Sequence, residues 1–161
     1  MTYSASLDNL AKGVTIGITV LFAGIITGQF SIIKETDSTI PIYTLATLLI
    51  IYLGAFLFRP IDYSLSHDGI TIRRLIKDVK IAREQIVSVE VINSNKIEGS
   101  IRTFGVGGLF GYYGKFANFE LGSTTWYATR RQKTVLIKTI NNKKIILTPD
   151  EPEKFVADFG L

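Results

Sequence analysis

Two long apolar runs without a single charged side chain, residues 13–33 and 39–58, are separated by the short polar island Lys34-Glu35-Thr36-Asp37-Ser38. No other feature narrows the possible folds so much. At about 1.5 Å rise per residue, a helix over either run spans roughly 30 Å, the thickness of a bilayer hydrocarbon core. The spacing predicts a transmembrane helical hairpin over 13–58, with helices at 13–33 and 39–58, a loop at 34–38, and a short N-terminal segment at 1–12. Everything after Arg59 is then a domain, residues 61–161, held at a membrane surface. The first run is longer than the core of a cleaved leader, and only Lys12 precedes it as a base, so a retained hairpin is expected.

Charge sets the expected orientation. Arg59 follows the second run, and Arg73, Arg74, Lys77 and Lys80 come soon after it, whereas the loop carries one Lys and two acids. Lysine and arginine favour the cytoplasmic side. A multi-pass protein of the cell membrane is expected, with both termini and the C-terminal domain cytoplasmic. The net charge of +4 resides entirely in residues 61–161, a mild excess. Cysteine is absent, which excludes disulfides, thiolate metal sites and a cysteine nucleophile.

Within the first run, Gly13, Gly17, Gly24 and Gly28 fall at about 0°, 40°, 20° and 60° around a helix. This narrow stripe allows another helix to approach at backbone distance, which matters in lipid, where no hydrophobic drive brings helices together. Thr47 and Gly54 of the second run are the nearest candidate partners; self-association or a different membrane protein is the alternative. Ser38 is placed to cap the second helix and Pro41 to sit in its first turn. Arg59-Pro60 ends it. Neither run holds an ionisable group other than phenols, so transport by this chain is not expected.

From residue 61 the periodicity becomes short and alternating. Residues 62–66 and 70–75 read as a hairpin around His67-Asp68-Gly69, with further strands at 79–82, 86–92 and 125–130. A second hairpin joins 134–140 to 143–147 through Asn141-Asn142, which tolerate positive φ. Thr148-Pro149-Asp150-Glu151 has the form of a capping box, with a cap at Asp150 as the alternative, and opens a helix carrying Phe155, Val156 and Phe159 on one face. Such a helix suits the open end of a bent sheet.

About seven strands followed by one helix resemble a pleckstrin-homology-like (PH-like) barrel. Residues 63–72 (YSLSHDGITI), 104–116 (FGVGGLFGYYGKF) and 146–155 (ILTPDEPEKF) are similar to the bacterial PH domain family, whose members often carry two upstream membrane spans. The resemblance implies a two-helix transmembrane hairpin followed by an antiparallel β barrel with one C-terminal α-helix, and it is nearly silent on function. The basic turn that holds inositol phosphates in some PH domains has no counterpart at His67-Asp68-Gly69.

Chemistry-bearing constellations are sparse. Residues 99–122 hold seven of the fourteen glycines, threaded with aromatics. Gly105, Gly107, Gly108 and Gly111 miss the phosphate-binding spacing because Phe110 takes the third glycine's place, so neither nucleotide nor cofactor is expected. The segment reads as a bent strand and loop whose aromatics fill a core, or else as a surface on which Phe110, Tyr112 and Tyr113 meet a partner or lipid. His67, flanked by Ser66 and Asp68 in a turn, cannot assemble a triad, and no residues stand at a metal-ligand spacing. Catalytic residues and metal ligands are therefore not expected. Arg73-Arg74 and Arg130-Arg131 point to opposite faces within each pair, but one from each could gather toward anionic lipid. Nucleic-acid binding lacks a dense basic stripe. The expected function is a non-enzymatic, membrane-anchored module for protein–protein interaction. The alternative is a sensor of anionic lipid or a small ligand through the barrel and its glycine-aromatic loop.

Overall fold

The computed structural model describes residues 1–35 and 40–160, and the side chains of all these except 30–35 and 40. The expected cap at Ser38 and the neighbouring Thr36 and Asp37 lie outside the described residues. In chain order the elements are β1 (Thr2–Ser4), α1 (Asn9–Glu35), α2 (Ile40–Leu57), β2 (Pro60–Ser66), β3 (Gly69–Arg74), β4 (Val79–Ala82), β5 (Ile86–Ile92), β6 (Ile101–Gly108), β7 (Gly111–Asn118), β8 (Gly122–Ala128), β9 (Thr134–Thr139), β10 (Lys144–Leu147) and α3 (Pro152–Gly160).

The strands do not close into one antiparallel barrel. They form a four-stranded sheet, β1-β2-β3-β4, and a six-stranded sheet, β5-β9-β10-β8-β7-β6. The break falls between β4 and β5, where the chain turns through a single 3-10 turn, Arg83–Gln85, instead of continuing a ladder. One neighbouring pair, β8 and β10, runs parallel, because β10 inserts between β9 and β8 after its hairpin with β9. No strand is read from the sequence at β1, and where one bent strand and loop is expected the structure has two paired strands, β6 and β7.

Two cores result. Tyr63, Leu65, Ile70, Ile72 and Ile81 of the smaller sheet pack against Val135, Ile137, Ile145 and Leu147 of the larger one, with Tyr3 and Phe155 closing the end. Alternation along the strands supplies this face. α3 covers it as expected: the Phe155 ring lies edge-on to Tyr3 at 5.1 Å, while Val156 and Phe159 pack at the margin. The second core joins Tyr112, Phe116, Trp126, Leu136 and Ile146 to Ala11 at the foot of α1. Phe116 and Trp126 stack at 4.3 Å.

The capping box before α3 is not formed. Thr148 is buried: its hydroxyl accepts from the Thr129 N–H at 2.9 Å, and its own N–H donates to the Tyr63 hydroxyl at 3.2 Å. The helix instead begins at Pro152, whose missing N–H suits a first helical position, and its first bond runs from Phe155 N–H to Glu151 C=O at 2.9 Å.

Most consequential is β1. It pairs antiparallel with β2, with Tyr3 opposite Tyr63 and Ser4 opposite Asp62. Strands on either side of the helical hairpin are therefore neighbours in one sheet, and the hairpin is an insertion between them. Residues Asn9–Gln29 of α1 form a helix long and apolar enough to cross a membrane; the apolar part of α2, Pro41–Leu57, is shorter.

Candidate functional site

The hairpin and the sheets meet at a junction built on the β6–β7 turn. Gly108 pairs with Gly111, leaving Leu109 and Phe110 as the turn, and Phe110 takes φ 57°. Positive φ is uncommon outside glycine, and here it aims the Phe110 backbone N–H at Thr15 of α1, whose hydroxyl accepts it at 2.9 Å. The Phe110 ring packs edge-on against Tyr52 and Phe56 of α2, each at 5.2 Å. The Arg59 guanidinium lies 4.5 Å from the Phe56 centroid and 5.8 Å from that of Phe110. Tyr113 donates to the Ala55 carbonyl, which has no intrahelical partner so near the end of α2. Burial pushes the Tyr113 phenol well above its ordinary range.

Asp8 is the second pin. Its carboxylate accepts the Ala11 N–H at 2.7 Å, capping α1, and also receives the Arg131 N–H at 3.1 Å and the Tyr112 hydroxyl at 3.3 Å. Arg131 extends over the Tyr112 ring at 5.0 Å. The Tyr112 phenol is pushed up to about 12, by burial first and then by the Asp8 charge.

Phe110, Tyr112 and Tyr113 are thus buried within the chain. Of the two sequence readings, burial agrees with aromatics that fill a core rather than with a surface role: the hairpin's own helices, with Asp8 and Arg131, occupy that side of the β6–β7 turn. The segment's exposed aromatics are Phe104 on the edge strand β6 and Phe119 in the β7–β8 turn. Gathering of the basic pairs is limited for the same kind of reason. Arg73 holds Asp62 through two bonds of 2.6 Å, and that carboxylate raises the guanidinium's proton affinity. Arg130, with a side chain only 14% exposed, is bound to Asp150 and to the Ser6 carbonyl. Arg74 lies across Phe58 at 5.5 Å, and Arg131 stays exposed apart from Tyr112.

The helix-packing candidates separate as well. Among the described residues, a side chain at Gly13, Gly17, Gly24, Gly28 or Gly54 would meet nothing within 4 Å. Val14, Ile18, Phe22 and Ile25 are half-buried and mark the side of α1 turned to α2, roughly 100° around the helix from the glycines. The two helices are joined by a Thr19–Tyr52 hydroxyl contact of 2.7 Å and by the Phe22 and Tyr52 rings. Thr47 is exposed and bonds back to the Tyr43 carbonyl. The glycine stripe therefore does not face Thr47 and Gly54, and among the described residues it is open.

Asp8, Thr15 and Arg59 are junction residues that the sequence reading did not select. For Asp8 the signal was available, since an acid with an N–H acceptor position three residues before Ala11 is an N-cap pattern. His67 is exposed in the β2–β3 turn beside Asp68. Among the described residues no group of three or more His, Cys, Asp or Glu is placed to hold a metal ion.

The fold of residues 61 onward, two packed sheets closed by a C-terminal helix, agrees with a comparison against protein families, where the bacterial PH domain matches residues 61–159. The chain belongs to the bacterial PH domain family. Searches of curated proteins and of solved structures gave no match. The family match begins at the foot of α2, so β1 and the hairpin lie outside the matched part of the PH-like domain. PH-like domains are in general binding modules without catalytic chemistry.

Proposed function

We propose that this protein is a non-enzymatic, membrane-anchored PH-like module whose two helices both cross the bilayer and bind another helix there, from a second copy or a different membrane protein. The observation that carries the reading is the β1–β2 pairing. Tyr3 and Tyr63 are ladder partners, so they lie on one side of any membrane, and the hairpin crosses an even number of times. A single crossing by α1 alone would separate the paired strands. The 18 residues of α2 make about 27 Å of helix, within reach of the core thickness when flanking residues adjust. The bases following α2 favour a cytoplasmic domain at the cell membrane, with both termini inside.

The outward glycine stripe supports a helix partner, because Gly13, Gly17, Gly24 and Gly28 offer a smooth face that α2 leaves uncovered. The test is mild-detergent extraction of the full chain, followed by size analysis and identification of co-purifying protein, with Gly17→Leu plus Gly24→Leu as the comparison. The partner or dimer is expected for the native chain and lost in the variant. A monomer alone in every condition would sink the partner reading. Protease access in sealed vesicles tests orientation, and a C-terminal domain protected from cytoplasmic protease would reverse it.

A further inference from the structure

The β3–β4 turn carries an apolar pair that nothing among the described residues covers. Ile76 is 59% exposed and Leu75 45%, and Phe58, just past the end of α2, is 42% exposed. Single exposed apolar residues need no explanation, but these three share one location. Arg74 is the last residue of β3 and pairs with Pro60, the first of β2. Because β3 runs antiparallel to β2, the turn 75–78 continues beyond Pro60 toward the helix from which β2 descends. The Arg74 guanidinium across the Phe58 ring at 5.5 Å fixes that proximity.

The turn is also held in shape. Asp78 accepts the Arg74 N–H at 3.0 Å, and Arg74 Nε donates to the Lys77 carbonyl at 2.5 Å. These bonds close the loop around its polar backbone and leave Leu75 and Ile76 projecting. Nearby bases are Arg73, Arg74, Lys77 and Lys80; the acids are Asp62, taken up by Arg73, and Asp78, turned to the loop backbone. A short apolar tip with a positive collar, continuous with a helix end, is the chemistry that rests in a headgroup layer.

We infer that the β3–β4 turn is a second membrane contact, with Leu75 and Ile76 at the acyl boundary and Lys77 and Arg74 among anionic headgroups. The inference rests on the membrane-spanning reading of the hairpin. It goes further by assigning the PH-like domain a fixed face toward lipid, where a tether alone would leave the orientation free.

The absence of cysteine permits a clean test with three single-cysteine variants of the full chain: Ile76→Cys, Leu49→Cys on an exposed part of α2, and Phe119→Cys in the β7–β8 turn. Each is labelled with a polarity-sensitive fluorophore and reconstituted into phosphatidylcholine vesicles with or without phosphatidylglycerol. Spin-labelled lipids then quench from shallow or deep positions. Expected are deep quenching at position 49, shallow quenching at 76 that strengthens with phosphatidylglycerol and weakens with salt, and none at 119. Lys77→Gln should reduce the phosphatidylglycerol dependence at 76 without moving position 49. If 76 behaves like 119 while 49 is quenched, the turn inference is overturned and the hairpin reading stands. If 49 is not quenched, both fall.

Discussion

Gly105 and Gly114 face each other across the β6–β7 hairpin at φ 107° and 123°. A Cβ on Gly105 would lie 2.3 Å from the Tyr113 carbonyl oxygen, and one on Gly114 the same distance from that of Phe104. Backbone cannot retreat as a flexible side chain can. Either Gly→Ala change is expected to cost at least about 2 kcal/mol, adding the positive-φ penalty to overpacking. Gly99→Ala and Gly122→Ala, with φ 68° and open space, should cost about 1 kcal/mol. Denaturant titration of the full chain in detergent separates the two classes. Tyr63 sets a second residue-scale expectation. Its hydroxyl donates to the Tyr127 carbonyl at 2.6 Å, and burial pushes its pKa from 10.0 up to about 12. The folded pKa lies above the unfolded one, so the stability this phenol contributes is complete below pH 10 and is lost as pH rises toward 12. Sheet signal is expected to fall across that window, with tyrosinate absorbance rising as it does. Tyr63→Phe should weaken the alkaline loss while lowering neutral-pH stability by about 1–3 kcal/mol, because two backbone partners go unsatisfied.

At the scale of elements, the β6–β7 hairpin is a wedge between the helices and the second core. Phe110→Ala removes the ring shared by Tyr52, Phe56 and Arg59, and a loss of about 3–5 kcal/mol is expected. Thr15→Val, which leaves one turn N–H without its acceptor, should cost about 1–3 kcal/mol. Protease cleavage within residues 101–118, followed over time, reports both. These strands were the least legible part of the sequence. Glycine at 105, 107, 108, 111 and 114 lowers strand propensity, and the reason at 105, 108, 111 and 114, a carbonyl or Val14 standing where a side chain would be, exists only after the strands have paired. β4 and β5 lie where the sequence placed them, 79–82 and 86–92, since their β-branched residues are a local signal. The C-terminal helix was recognised from its apolar face, but its start was misread because Thr148 answers to Tyr63 and Thr129, partners remote in the chain. The junction was obscured similarly. Burial of its aromatics was one of the two readings the sequence allowed, but that α1 and α2 supply the cover depends on contacts remote in the chain.

For the molecule as a whole, the domain is completed by residues that precede the hairpin. Residues 61–161 alone lack β1, leaving β2 as an open edge and Phe155 without the Tyr3 ring. That fragment is expected to unfold well below the full chain and to aggregate. A chain in which a short Gly-Ser link replaces the helices between Asp8 and Arg59 should recover cooperative melting, because β1 and β2 are neighbours about 4.8 Å apart. Calorimetry on the two versions decides; equal stability would show that β1 contributes little. The same pairing bears on how the protein is made. The Leu65 N–H bonds to the Met1 carbonyl, yet the ribosome must produce both helices between these two residues. At about 5–20 residues per second, β1 waits several seconds for its partner. If the hairpin spans the bilayer as proposed, this pairing is possible only when the intervening helices have returned the chain to the side from which it started. A nascent chain that failed to return would keep an unpaired first strand and an uncovered Phe155, marking itself for quality control.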